Sequence, residues 1–224
     1  MARKTREEAL ETRERLLDAA QCVFKQRGVT RTSLAEVAAA AGVTRGAVYW
    51  HFKDKAALFG AMCDRATLPL DAMFERAGET ASTDPLATLR TLCVGALTRL
   101  ATDARTQVVF EVLFHKTELV DELAGIATSH RTERCQCLSQ IEDIIARSAD
   151  IGELPRDIDA ALAAHGLNAL MVGIMHEWVL DPSAYDLAAA APALIDAYLA
   201  GLAAHPPRRA ARPMPRVRAK TATV

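Results

Sequence analysis

Apolar residues in the first quarter of the chain recur with the period of an α-helix, and the breaks between stripes fall on capping residues. Leu10, Leu17 and Phe24 recur every seven residues, with Leu16, Ala20 and Val23 beside them, which predicts one amphipathic helix over Glu8–Arg27. Gly28 follows as its C′ residue, because glycine enters the left-handed region without penalty. Ser33 and Glu36 form a capping box that opens a second helix, with Val37, Ala38 and Ala41 facing inward. Gly42 ends that helix early, Val43 turns back to the core, and Thr44 caps a short third helix, Arg45–His51. Asp54 caps a fourth, with Leu58, Phe59 and Met62 on one face.

The rest of the chain also reads as helix after helix. Asp84-Pro85 places an N-cap before a proline at the first helical position. Thr102-Asp103 opens a segment that ends near Lys116. Further helices are predicted over Asp121–Ala149, stopping before Gly152 and Pro155; over Asp157–Leu180, stopped by Asp181-Pro182; and over Asp186–Ala204. Pro192 marks either a kink in the last of these or a later start. With no hairpin signal and no internal repeat, the expectation is an all-α protein of about nine helices. Three regions follow: a basic arm and three-helix unit over 1–55, a larger helical domain over 56–205, and a Pro/Arg-rich tail over 206–224, expected to be disordered.

Composition agrees: half the residues are apolar and only 5% aromatic, with abundant alanine, which favours packed helices over sheets. Apolar stretches are broken by His, Glu, Asp or Pro before the roughly 18 residues that a membrane span needs. Met1–Arg15 is charged throughout and is no signal peptide, so a cytoplasmic protein without a membrane partner is expected. The net charge of −1 hides an asymmetry. Residues 1–60 hold 11 Lys+Arg against 7 Asp+Glu, residues 61–205 hold 10 against 21, and residues 206–224 hold 6 against none. A basic head on an acidic body suggests that only the head meets a polyanion. The tail either adds non-specific affinity for that polyanion or is simply solvated.

Five cysteines, an odd number in helical contexts, predict reduced thiols. Cys135 and Cys137 would point about 200° apart on a helix, which argues against zinc. His176-Glu177 starts like a zinc-protease motif, but no histidine follows four residues later. His115, His130 and His165 read as solvated or structural. No glycine-rich phosphate loop and no acid/base pair at meaningful spacing occurs, so no catalytic residue, metal or cofactor is expected.

Two short capped helices joined through Ala41-Gly42-Val43 make a helix-turn-helix. Its second helix would expose Thr44, Arg45, Tyr49 and Trp50, with Ala47 small enough to touch a thymine methyl and Gly46 letting the backbone approach. His51, Lys53 and Lys55 follow as phosphate donors, and Thr32 and Ser33 at the start of the second helix join the candidate DNA contacts. The stretch from Thr32 to Lys55, with its AGVTRGAVYWHF run, closely resembles the TetR/AcrR family of repressors, in particular its multidrug-efflux branch. The resemblance includes the ARKTREEALETRERLLDAA opening and extends more loosely through Asp103–Thr106, Gly152–Pro155 and Gly173 to Trp178. It implies that Thr44, Arg45, Tyr49, His51 and Lys55 contact operator DNA and that the C-terminal domain holds an inducer.

On the residues alone, Asn168, Met171, Val172, Met175 and His176 read as packed core more readily than as a cavity; the resemblance favours the cavity. Phe110 and Phe114 share a helical face with Leu113 nearby, Leu92, Cys93 and Ala96 would approach from the preceding helix, and Cys137 and Ile141 from the following one. The expected occupant is a hydrophobic small molecule, and the segment Asp103–Lys116 is the expected lever. The helices Asp157–Leu180 and Asp186–Ala204 are more apolar than one core needs, so Leu162, Leu194, Tyr198 and Leu202 are expected to pair in a homodimer that reads a pseudo-palindrome. The expected function is a repressor of an efflux operon. A constitutive or differently induced regulator of metabolic genes is the alternative.

Overall fold

The computed structural model describes residues 6–66, 84–117 and 124–209, without the side chains of 124–134. The basic arm through residue 5, the helix start near Asp121, the side chain of His130 and the tail beyond residue 209 lie outside this description. Nine helices occur among the described residues: α1 (Arg6–Arg27), α2 (Leu34–Ala40), α3 (Arg45–His51), α4 (55–66), α5 (Pro85–Thr102), α6 (Ala104–His115), α7 (Ala124–Asp150), α8 (Ala160–Leu180) and α9 (Leu187–Ala204). The described residues form no β-strand, only an isolated bridge between Ile158 and Arg208.

Local capping sets most of the helix starts. Ser33, Thr44, Asp54, Asp84, Asp103, Asp159 and Asp186 each accept a hydrogen bond from a backbone N–H in the first turn of the helix they open. Gly28 and Gly42, which follow α1 and α2, take φ of 81° and 65°, as the sharp exits require. Helix α8 starts at Ala160, not near Asp157. Asp159 is the cap, while Asp157 pairs with Arg208 and its carbonyl accepts from the Arg209 N–H (3.2 Å). The first tail residues, 206–209, are therefore pinned across the α7–α8 turn rather than disordered, with the Asp159 N–H donating to the Pro207 carbonyl (2.7 Å).

The helices enclose two cores. The head core gathers Leu16, Leu17 and Phe24 of α1, Val37 and Ala38 of α2, Val48 of α3, and Leu58, Phe59 and Met62 of α4. Thus the apolar face of α4 lies with the first three helices. Leu10 is 57% exposed and outside this core. Leu10 lies only about 20° from Leu17 around the helix, so its exposure follows from its place nearer the helix start, ahead of the first apolar residue that is buried, Leu16.

The body core is built by α5 packed along α9 and against α7, with α7 against α8 and α6 against α8. In α9 the buried stripe is Leu187, Ala191, Ile195, Leu199 and Leu202, and the helix runs through Pro192. Leu202 thus belongs to the interior of the monomer, contrary to the outer face expected for it, because it falls in register with the residues facing α5. Leu162 is exposed, and Leu194 and Tyr198 are half-buried against the body core. The Tyr198 hydroxyl donates to the Ala163 carbonyl (2.7 Å) where it crosses Gly166; a Cβ there would meet that hydroxyl at 2.5 Å. By length and composition α9 is apolar enough to cross a membrane (18 residues, mean hydropathy 1.6). Its Asp196, however, is paired with Arg90 of α5.

Candidate DNA-reading face and effector core

The helix-turn-helix is held by reciprocal local bonds. The Ser33 N–H donates to Glu36 Oε2 (2.8 Å), and the Glu36 N–H donates back to Ser33 Oγ (3.3 Å). The backbone and hydroxyl of Ser33, with the Arg27 guanidinium adding to them, hold the Glu36 carboxyl below the usual carboxylate range. The turn closes through the Val43 N–H on the Ala38 carbonyl (3.0 Å), and Thr44 Oγ1 then accepts from the Ala47 N–H (3.2 Å). Val48, fully buried, seats α3 on the head core.

That seating leaves Arg45, Gly46, Tyr49 and Trp50 exposed, Trp50 at 72%, with Thr44 and Ser33 exposed beside them. Ala47 and His51 are half-buried, and the His51 ring stacks edge-on with Trp50 (4.5 Å between centroids). Arg45 Nη2 lies 3.4 Å from the Tyr49 hydroxyl, with the guanidinium 5.6 Å from the Tyr49 ring centre. The pair is braced on the surface before any partner arrives, which lowers the entropy cost of presenting both side chains. An open cleft of about 670 Å³ runs from Arg31 and Ser33 past Arg45 and Tyr49 to Lys53.

Thr32 and Lys55 line the same cleft with little of their surface exposed. Thr32 is buried and its hydroxyl donates to the Gly28 carbonyl (2.8 Å). Lys55 is 9% exposed, and its ammonium donates to the Thr30 carbonyl (2.9 Å). Thr32 closes the α1–α2 turn on itself, and Lys55 ties that turn to the start of α4. The Lys55 bond takes one of the three N–H donors of the ammonium.

In the body, Leu92, Cys93 and Ala96 of α5, Phe110 of α6, Ile141 of α7 and Met175 of α8 are buried in one cluster. Leu113, Phe114, Cys137 and Met171 pack against it, and Asn168 is half-buried. The structure thus brings most of the expected effector residues together, but Val172 is 45% exposed on α8. The Phe110 and Phe114 rings are 5.6 Å apart, and Phe114 lies 5.5 Å from the His176 ring. Burial, with Cys137 nearby, pushes the Cys93 thiol up to about 12, so Cys93 presents a neutral, apolar wall. One neighbour escaped the sequence reading: His115 lies 4.7 Å from the His176 ring, and its Nε2 is buried without an acceptor or donor among the described residues. Only the approach of α6 to α8 brings these two histidines together.

Helix α6 joins head and body. Val109 and Val112 are part of the head core, Phe110 is part of the body core, and Leu113 packs against both. Lys25 of α1 pairs with Glu111 (2.8 Å), and the Val29 N–H donates to the Lys116 carbonyl (3.0 Å). Packed side chains, an ion pair and a hydrogen bond therefore tie α6 to α1 and the turn that follows it.

A braced recognition helix on a basic head, joined by one shared helix to an all-helical body, defines a helix-turn-helix regulator. Residues 16–62 match the model of the tetR family of bacterial regulatory proteins, and residues 84–204 match the C-terminal region of MAATS-type transcriptional repressors. The HTH-type transcriptional regulator TtgR of Pseudomonas putida is 38% identical over 187 residues, covering 84% of this chain and 89% of TtgR. The structure of NalD, the secondary repressor of the MexAB-OprM multidrug efflux pump in Pseudomonas aeruginosa, superposes with a TM-score of 0.81 at 33% identity, covering 89% of this chain and 100% of NalD. SmeT in complex with triclosan, the repressor of the Stenotrophomonas maltophilia SmeDEF pump, superposes with a TM-score of 0.74 at 31% identity, covering 92% and 99%. The chain belongs to the TetR family of bacterial transcriptional regulators.

Proposed function

We propose that this protein represses an operon encoding a multidrug efflux pump and releases its operator when a hydrophobic small molecule enters the body. The observation that carries this reading is the double membership of α6: Val109 and Val112 in the head core, Phe110 in the body core. A ligand that spreads α5, α6, α7 and α8 has to displace α6, and α6 cannot move without moving the head. For such a ligand to act, it must bind one arrangement of α6 better than the other; tight binding alone shifts nothing.

In this reading Arg45 and Tyr49 read base edges, Thr44, Ser33 and His51 contact the backbone, and Gly46, Ala47 and Trp50 lie against the groove. Two heads act together in a cytoplasmic homodimer formed across α8 and α9, where Leu162 remains exposed. The inducer lies against Leu92, Phe110, Phe114, Ile141 and Met175, with Asn168, His115 and His176 as its polar partners. SmeT, a repressor of an efflux pump seen with triclosan, supports the ligand class.

The test is footprinting on DNA upstream of the protein's own gene, followed by titration of the complex with lipophilic antibiotics, dyes and phenols. A protected pseudo-palindrome beside transporter genes, released by some of these compounds, is the expected result. Compounds that bind with unaltered operator affinity would leave a constitutive or differently induced regulator instead.

A further inference from the structure

A second crevice, of about 370 Å³, lies away from the effector core, where head and body meet. Its wall takes Gln21 from α1 and Arg65 from α4 in the head, and Arg99, Asp103, Arg105 and Thr106 from α5 and α6 in the body. Three guanidinium groups and a single carboxylate therefore face one space, whose volume lies in the range of small-molecule sites, about 300–1,000 Å³.

The carboxylate is already saturated. Asp103 accepts from the Arg105 N–H (3.2 Å), the Thr106 hydroxyl (2.6 Å) and Arg99 Nη2 (3.4 Å). Those bonds, the Thr106 hydroxyl foremost, hold its carboxyl below the usual range, so it stays ionised and offers little to a cation. The guanidiniums are not saturated. Arg65 gives Nη1 to Glu14 (3.0 Å) and Asp18 (2.9 Å), yet its Nη2 has no acceptor among the described residues. Arg99 gives Nη2 to Asp103, yet its Nε has none either. Arg105 reaches Asp18 only at 3.7 Å and is largely exposed. The unmet valences are N–H donors on opposite sides of the head–body joint, both closed off from solvent, so an anion meets them only when the two side chains turn toward the crevice.

We propose that this crevice binds a small phosphate- or carboxylate-bearing anion whose oxygens bridge Arg65 of the head and Arg99 of the body, and that the bound anion braces the head for operator binding. Planar guanidinium forks suit both oxyanions. Because the brace ties α4 to α5 directly, it acts on the head without an occupant in the effector core. The proposal rests on the DNA binding of the family and not on the identity of the inducer.

The test uses the full chain without inducer, with chloride replaced by inorganic phosphate or by succinate at constant ionic strength. Saturable binding of at least one of the two is expected by calorimetry at millimolar concentration, weakened roughly tenfold by Arg99→Gln and left intact by Arg147→Gln, a half-buried residue of α7 outside the crevice lining. Fluorescence anisotropy should show operator affinity rising several-fold with the anion in wild type and not in Arg99→Gln. Arg65→Gln should behave like Arg99→Gln; if losing its bonds to Glu14 and Asp18 unfolds the head, Arg99→Gln decides alone. Phosphate binding without succinate binding would identify a phosphorylated ligand, and the reverse a carboxylate. No saturable binding, binding that survives Arg99→Gln, or binding without a change in operator affinity would each overturn the proposal.

Discussion

Replacing Val112 with alanine separates the stability of the fold from its role as a switch. Val112 is fully buried in the head core although it belongs to α6, a helix of the body. The substitution removes two buried carbons, about 1.6 kcal/mol at about 0.8 kcal/mol per carbon. If the site fails to collapse, a cavity of roughly 50 Å³ adds about 1 kcal/mol. The expected loss of stability is therefore about 1.5–2.5 kcal/mol, read by urea unfolding. Val37→Ala removes the same atoms from the same core, but from α2, and should cost a similar amount. The two variants should part in their response to inducer. With the α6 contact loosened, the inducer-induced drop in operator affinity should shrink in Val112→Ala from the usual coupling of about 1–3 kcal/mol to below about 1 kcal/mol. Val37→Ala should keep the wild-type drop. Anisotropy with a labelled operator, with and without a compound shown to release it, gives both numbers. If Val112→Ala and Val37→Ala release operator at the same inducer dose as wild type, α6 is not the link, and the reasoning from its shared packing is wrong.

Three further outcomes are expected. Arg45→Ala removes an exposed side chain with little cost to folding and should weaken specific operator binding by about 1–3 kcal/mol, with lost discrimination at one base pair in a binding-site selection; unchanged selectivity would misplace the recognition helix. Leu162→Glu, at an exposed position on α8, should leave helix content and unfolding unchanged but shift the sedimenting species toward monomer and weaken operator binding; an unaltered dimer would move the interface elsewhere. Asp103 has a carboxyl pKa lowered chiefly by the Thr106 hydroxyl, so it contributes stability that is present above its unfolded pKa and lost as pH falls through its folded pKa. Asp103→Asn should therefore flatten the acid limb of the pH–stability curve, and an unchanged limb would show that other carboxylates carry it.

Features that depend on neighbours within one turn of chain were legible in the sequence. The Ser33–Glu36 box, the Thr44 cap, the Asp84-Pro85 start and the exits at Gly28 and Gly42 are local backbone chemistry, and the helices they delimit lie within a few residues of where the pattern puts them. The family signature lies in the same short stretch, which is why the function was also readable there. What needed the tertiary structure was every choice between equivalent local options. Asp157 and Asp159 both make acceptable caps, and only the return of Arg208 and Arg209 across the turn selects Asp159. That the Lys55 ammonium also donates to the Thr30 carbonyl, distant in sequence, was not legible, and Val172 looks like a pocket wall until the packing of α8 turns it outward. The division of α6 between two cores, and the facing of Arg65 and Arg99, depend on contacts between residues far apart in the chain. A periodic pattern says which face of a helix is apolar, but which neighbour covers that face is decided only when all the helices pack at once.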